Sequence, residues 1–169
     1  EEIHLRKVCG IVWCVDGTDE EAEEAMAPML SVAEPLMHGA GRLPLKDLNG
    51  AFDGLYGPGD QWYWRGDFVN EIPDEAIVRN RDWNDRMPSF KCGSHLYPID
   101  GAAHDVPAED TAFAYRDTRW SQVFIGVDPD PASASTLREW TVGYWEALHP
   151  YSAGGAYVAG FDYSRMGKL

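Results

Sequence analysis

TLREWTVGYWEALHPYSAGGAYVAGFDY, residues 136–163, is the stretch that decides the fold. Its apolar residues recur at the spacing of one wide stripe on a helix: Leu137, Trp140, Thr141, Tyr144, Trp145 and Leu148. Pro150 ends that helix because a proline disfavours helical geometry in the preceding residue, and Gly154 and Gly155 let the backbone turn. The stretch predicts a helix over 137–148, a turn, and a strand over 156–161.

Four further segments alternate with the period of a strand: 8–15, 61–72, 90–97 and 120–127. The first is apolar on both faces, which predicts a central strand. The second divides into an apolar face, with Trp62, Trp64 and Phe68, and a polar face, with Tyr63, Arg65, Asp67 and Glu71. We expect the apolar face to be the core side.

Three more helices are predicted from their start signals. Thr18 and Glu21 form a capping box, and Pro28 predicts a kink or an end to the helix that follows. Pro44 begins a second helix, and Pro73 with its following acids begins a third. The apolar residues expected to line the first helix are Ala22, Ala25, Met26, Met29 and Leu30, and those facing inward on the second are Leu45, Leu48, Phe52 and Leu55.

The order of these elements defines the fold class. The strands are separated by single helices or long loops, and no βαβ glycine motif repeats. We therefore predict one α+β domain over 1–169, with an antiparallel or mixed sheet and helices packed on one face.

The composition restricts the classes of partner that this protein can bind. A net charge of −14 and a pI near 4.6 oppose binding to nucleic acid or to an anionic membrane. No apolar run has membrane-spanning length, and residues 1–10 contain no signal-peptide core. On a strand, Cys9 and Cys14 would face opposite ways, so with Cys92 they are interpreted as small buried hydrophobes. We predict a reduced, cytoplasmic protein.

One polar cluster, His95, Asp100, His104 and Asp105, contains residue types that bind metals. It lacks the spacing of a recognised site, and a loop between strands is naturally polar. No metal is predicted.

Several motifs, in order, resemble the substrate (cap) domain of FAD-linked oxidases of the berberine bridge enzyme-like group. WEALHPYSAGGAYV, residues 145–158, is similar to that group's "W..L.PY..GG.YVN" pattern. Residues 44–59 (PLKDLNGAFDGLYGPG), 63–65 (YWR) and 106–116 (VPAEDTAFAYR) resemble further motifs of the group. The resemblance extends over about residues 8–161 and implies the group's α+β cap fold, with ferredoxin-like elements.

The same resemblance implies that the flavin is bound by another domain. The sequence has no glycine-rich dinucleotide loop, no His or Cys in a flavin-attachment context and no terminal "YDP.N.F" segment. This implies an isolated or degenerate cap domain without a cofactor of its own, and FAD only through a partner that provides the flavin domain.

The resemblance also implies site residues. Asp105 and Tyr157 match positions at which some members carry a proton-accepting carboxylate or tyrosine, although Ala159 replaces the Asn that follows the tyrosine. One face of the cap sheet covers flavin and substrate in this group. The residues expected to contact substrate are Trp64, Arg65, His95, Tyr97 and His104.

Three functions follow as hypotheses. The first is a cap that binds a small aromatic or glycosidic molecule or a protein partner, without chemistry of its own. The second is one component of a split oxidase, with the flavin domain on another chain. The third is an independent enzyme that moves protons with Tyr157 and Asp105.

An uncovered cap sheet predicts self-association. Symmetric pairing is the commonest way to cover an exposed apolar patch, so a homodimer is expected. Sedimentation velocity at micromolar concentration tests this, and a clean monomer at 18.9 kDa would contradict it.

Overall fold

The computed structural model describes residues 6–156. The chain divides into two compact units, Glu1–Asp53 and Gly54–Leu169. Among residues 6–156, no helix combines the length and the apolar composition needed to cross a membrane.

The first unit contains α1 (Asp19–Leu30) and α2 (Leu45–Asn49). The predicted capping box is present, with Glu21 N donating to Thr18 Oγ1 (3.2 Å) and Thr18 N donating to Glu21 Oε2 (2.7 Å). The helix passes through Pro28 and ends two residues later. No residue of 6–53 is buried, and on the predicted apolar face only Ala22 and Met26 are partly covered.

Three predictions for the first part of the chain are wrong. Residues 6–15 form no strand, and Cys9 and Cys14 are exposed rather than buried. A strand is held by hydrogen bonds to a neighbour, and no described strand pairs with this segment. The second helix ends after Asn49, at the Gly50 C-cap, so Leu45, Phe52 and Leu55 are exposed instead of facing inward.

The second unit is an α+β domain, as predicted. Its elements are β1 (Gln61–Val69), α3 (Asp74–Asn84), β2 (Gly93–Pro98), β3 (Trp120–Asp128) and α4 (Ala134–Leu148). The sheet order is β1-β3-β2, with both pairings antiparallel, so β3 is the central strand. β2 begins three residues later than predicted, and of the predicted strand 156–161 only Ala156 lies within the described residues.

The register divides the sheet into two faces. Arg65 pairs with Phe124, whereas Trp64 pairs with Ile125 on the opposite side. The helix face is the side covered by α4 and α3 and contains Tyr63, Arg65, Asp67, Ser94, Phe124 and Gly126. The aromatic face is the other side and contains Trp62, Trp64, Phe68, His95, Tyr97, Val123, Ile125 and Val127.

The predicted orientation of β1 is therefore reversed. Its polar residues lie beneath α4, and its tryptophans lie on the side away from α4. Burial is possible because the charges have partners. The Arg65 guanidinium lies 5.1 Å from the centre of the Trp145 ring, and the Asp67 carboxylate contacts His149.

The predicted stripe of α4 forms the core. Leu137, Trp140, Thr141, Tyr144 and Leu148 are buried, and Trp145 is partly covered. The hydroxyl of Tyr144 lies 2.7 Å from Asn80 Oδ1 and 3.0 Å from Ser94 Oγ, and Asn84 Nδ2 donates to it at 2.9 Å. Burial raises the pKa of Tyr144 to about 12. The ring thus adds apolar area while its hydroxyl bonds to α3 and β2.

Gly126 determines how closely α4 approaches the sheet. A Cβ at this position would lie 2.6 Å from Thr141 Oγ1 and 3.1 Å from the Leu137 carbonyl oxygen. The second contact is with helix backbone, which a side-chain rotation cannot relieve.

Gly126→Ala is accordingly expected to lower the free energy of unfolding by about 1–3 kcal/mol, the usual effect of overpacking a core. Gly93→Ala is the matched control, because a Cβ there meets nothing within 4 Å. Urea denaturation of both variants measures the difference. Equal stabilities would show that α4 does not need this glycine.

Candidate functional site

The aromatic face begins with a wall of stacked rings. The Trp62 and Trp64 rings lie 5.5 Å apart at 20°, and the Tyr56 ring packs 5.0 Å from Trp62. Beneath them Ile125 and Val127 are almost completely buried, at 1% and 0% exposure. Trp62 itself is 39% exposed, so this wall presents ring surface to solvent.

A second wall lies at the other end of β1. Phe68 packs against Tyr115 (4.7 Å between ring centres) and Phe113 (5.8 Å), which belong to the loop between β2 and β3. Arg116 fastens this loop, since its Nε donates to the Phe113 carbonyl at 3.0 Å and its Nη2 donates to Thr111 Oγ1 at 2.6 Å.

His95 and Tyr97 lie on the β2 side of the same face. They pair with Val123 and Ser121 of the central strand, and His95 Nδ1 is 2.7 Å from the Tyr97 hydroxyl. Burial lowers the pKa of His95 and raises the pKa of Tyr97. At neutral pH the pair is therefore an uncharged imidazole and a phenol.

This geometry suits recognition of a ring better than it suits ion binding. Exposed indole rings stack on planar molecules, and a few polar groups among them fix the orientation of the ligand. Within the described part of the chain, no three His, Cys, Asp or Glu residues converge where a metal ion could be held. The cluster His95, Asp100, His104 and Asp105 forms no such group.

The residues expected to contact substrate do not all meet. Trp64, His95 and Tyr97 share the aromatic face. Arg65 lies on the helix face, 6% exposed beneath α4, because consecutive strand residues point to opposite sides. His104 lies in the loop after β2, with Nε2 3.1 Å from the Thr118 carbonyl oxygen.

The two expected proton acceptors are not brought together in the described region. Asp105 is exposed in the same loop as His104. Tyr157 lies outside the described residues.

Sequence reasoning missed a polar cluster on the helix face, in which the buried Asp67 contacts the partly covered Ser152 and the exposed His149. His149 Nδ1 is 3.0 Å from Asp67 Oδ2, and Ser152 Oγ donates to Asp67 Oδ1 at 3.1 Å. Burial raises the pKa of Asp67, and the His149 and Ser152 contacts oppose that rise. The polar face of 61–72 signalled that Asp67 needed partners, but not which ones.

This cluster fastens the turn after α4 to the outer edge of β1. Ala153 N donates to the Phe68 carbonyl at 2.7 Å, and Phe68 N donates to the Gly155 carbonyl at 3.1 Å. Gly154 and Gly155 have φ of 90° and 76°, a conformation that favours glycine. The chain thus returns alongside the strand that carries Trp64 and Phe68.

Known structures share this architecture. A berberine bridge enzyme variant, a reticuline dehydrogenase, superposes with a TM-score of 0.73 at 14% identity, over 88% of this chain and 33% of that one. A Physcomitrella patens berberine bridge enzyme-like variant gives 0.69 at 18% identity, over 86% and 35%. The fold is that of a berberine bridge enzyme-like domain. An Arabidopsis thaliana member gives 0.55 at 20% identity, over 66% and 25%.

The sequence comparison points the same way. An FAD-linked oxidoreductase from Dictyostelium discoideum is 23% identical over 142 residues, 82% of this chain. No protein-family model matches the chain. The chain spans about a third of the length of the relatives it resembles, 31% of the Dictyostelium protein and 25–35% of the structures above.

The raised pKa of Asp67 predicts a pH dependence. Above the ordinary Asp pKa of about 3.9 and below the raised value, the folded state binds more protons than the unfolded state. The contribution of this group to the free energy of unfolding therefore falls as pH rises through that window.

Asp67→Asn removes this titration. The free energy of unfolding of the variant minus that of the wild type is expected to increase as pH rises from about 4 to about 7, whatever constant offset the altered hydrogen bonds add. Asp117→Asn, which removes an exposed carboxyl, controls for net charge. If this difference in the free energy of unfolding fell with rising pH, the contact with His149 would stabilise the Asp67 carboxylate by more than burial destabilises it.

Proposed function

We propose that this chain is a substrate-binding cap domain related to those of FAD-linked oxidoreductases, which binds a small molecule and has no redox chemistry of its own. The observation that carries the proposal is the aromatic face, where Trp62, Trp64, His95 and Tyr97 stand on the side of the sheet opposite α4. The ligand is a small aromatic or glycosidic molecule that lies against the exposed rings.

The helix N-termini of this chain fit a flavin pyrophosphate poorly. A phosphate is usually held by backbone N–H groups at a helix N-terminus, where a carboxylate competes with it. α1 begins with Asp19, Glu20 and Glu21, and α3 begins with Asp74 and Glu75. The turn before α4 is capped by Asp130, whose Oδ1 accepts from Ala132 N at 2.9 Å.

Where a flavin-binding domain joins it, the cap would supply binding and orientation, and the flavin would supply the redox chemistry. Asp105 and Tyr157 are the candidate proton acceptors in that assembly, on the family resemblance alone. A carboxylate or phenol would serve as a base there only if the assembled site shifted its pKa.

A split oxidase is the second candidate. Its basis is the coverage: this chain spans 31% of a Dictyostelium discoideum protein named an FAD-linked oxidoreductase, which leaves most of that protein's length unmatched. An adjacent reading frame that encodes a flavin-binding domain, and whose product copurifies with this chain, would support it.

The purified chain is expected to carry no flavin and to show no oxidase turnover. Its acidic helix starts and its net charge of −14 both repel the pyrophosphate. The visible spectrum and an FAD titration by calorimetry measure this. A flavin absorption band that survives gel filtration would show that the chain has its own cofactor site.

Ligand binding is tested with coumarin, an uncharged bicyclic probe, followed by calorimetry. Trp64→Ala is expected to weaken binding about 2- to 10-fold, the usual contribution of an aromatic contact. Tyr63→Ala is the matched control, because it changes the preceding residue of the same strand on the opposite face. Equal effects of the two substitutions would count against the aromatic face as the site.

A further inference from the structure

The histidine tautomer determines which group donates in the hydrogen bond between His95 and Tyr97. Its length of 2.7 Å, from His95 Nδ1 to the Tyr97 hydroxyl, is typical of a hydroxyl donor and shorter than the common N–H···O distance. An imidazole nitrogen is also a much better acceptor than a phenol oxygen. We therefore take the Tyr97 hydroxyl as the donor and Nδ1 as the acceptor.

The ionisation of both side chains agrees with this assignment. Burial lowers the pKa of His95, which keeps the imidazole neutral, and raises the pKa of Tyr97, which keeps the phenol protonated. A neutral imidazole carries one proton, and Nδ1 is occupied as an acceptor. The proton of His95 is thus on Nε2.

His95 Nε2 has no hydrogen-bond partner in the part of the chain that the structure describes. On the same face of β2 the preceding position is Gly93, where a Cβ would meet nothing within 4 Å. Across the central strand from Gly93, through Ile125, stands Trp64. A donor, a position without a side chain and an indole ring therefore lie on the same face of the sheet.

The charge of this surface restricts the ligand. The described strand residues of the aromatic face include no Asp, Glu, Lys or Arg, so nothing on it would pair with an ion. The net charge of the protein, −14, repels anions. An uncharged molecule fits best.

We propose that His95 determines specificity by donating its Nε2–H to an acceptor oxygen on an uncharged planar ring that stacks against Trp64. The ligand class is a cyclic carbonyl or ring ether. Tyr97 acts as a positioning residue, because its hydroxyl holds the imidazole in the tautomer that presents the donor. This inference rests on the proposed binding function of the aromatic face.

The tautomer is measured first, on the full chain without ligand. Two-dimensional 15N–1H NMR of the imidazoles is expected to show His95 protonated on Nε2, and Tyr97→Phe is expected to shift it toward a mixture of the two tautomers. A His95 protonated on Nδ1 would overturn the proposal.

Binding is measured next, with coumarin as a bicyclic ring that carries a carbonyl oxygen and naphthalene as a bicyclic ring without an acceptor. His95→Phe keeps an aromatic ring and removes the donor. It is expected to weaken coumarin binding about 2- to 10-fold, the usual range for one hydrogen bond, and to leave naphthalene binding unchanged. Tyr97→Phe is expected to cause a smaller loss for coumarin only.

The outcomes separate the two proposals. If Trp64→Ala weakens both probes while His95→Phe affects them equally or not at all, the aromatic face binds rings but His95 is not the donor. If neither probe binds the wild-type chain, both the proposed function and this inference are overturned.

Discussion

The packing of α4 against one face of a three-stranded sheet is the constraint on which the second unit depends. Gly126 allows this approach, since any side chain there would strike Thr141 and the backbone of Leu137. Tyr144 reinforces it by placing its ring in the core and its hydroxyl among polar groups of α3 and β2. Because α3 and α4 occupy the same side, neither helix covers the rings of the opposite side. The location of the helices therefore also locates the candidate site.

Charged residues beneath α4 are tolerated because each has a partner. Arg65 lies over the Trp145 ring, and Asp67 is held by His149 and Ser152. Removing a partner from such a residue is far more destabilising than the net worth of the contact, because a buried charge is left unpaired. The Asp67 cluster also affects the path of the chain after α4. It fixes the turn that carries the chain from α4 back to the edge of β1, and thereby aligns the described end of the chain with the strand that carries Trp64.

The aromatic face has the chemistry of a recognition surface. Its rings provide contact area for a planar molecule, and the His95–Tyr97 pair provides direction, because stacking alone does not fix how a ring is turned. The solved structures with a similar fold, at 14–20% identity, are much longer chains. A wall of this kind needs a second surface to enclose a ligand, and in the proposed assembly the flavin domain provides it.

The sequence by itself determined the local elements whose signals lie within a few residues. The stripe of α4, the capping box of α1, the Pro73 start of α3 and the order of motifs all belong to this class, as does the α+β class they add up to. Only the tertiary structure decided which side of β1 is covered, because period-two alternation defines two faces without saying which one meets a helix. It also showed that residues 8–15 pair with none of the strands between residues 6 and 156, since strand pairing is set by distant segments. For the same reason Asp67 and His149 meet although they lie 82 residues apart, and Arg65 is separated from Trp64 although they are adjacent in sequence.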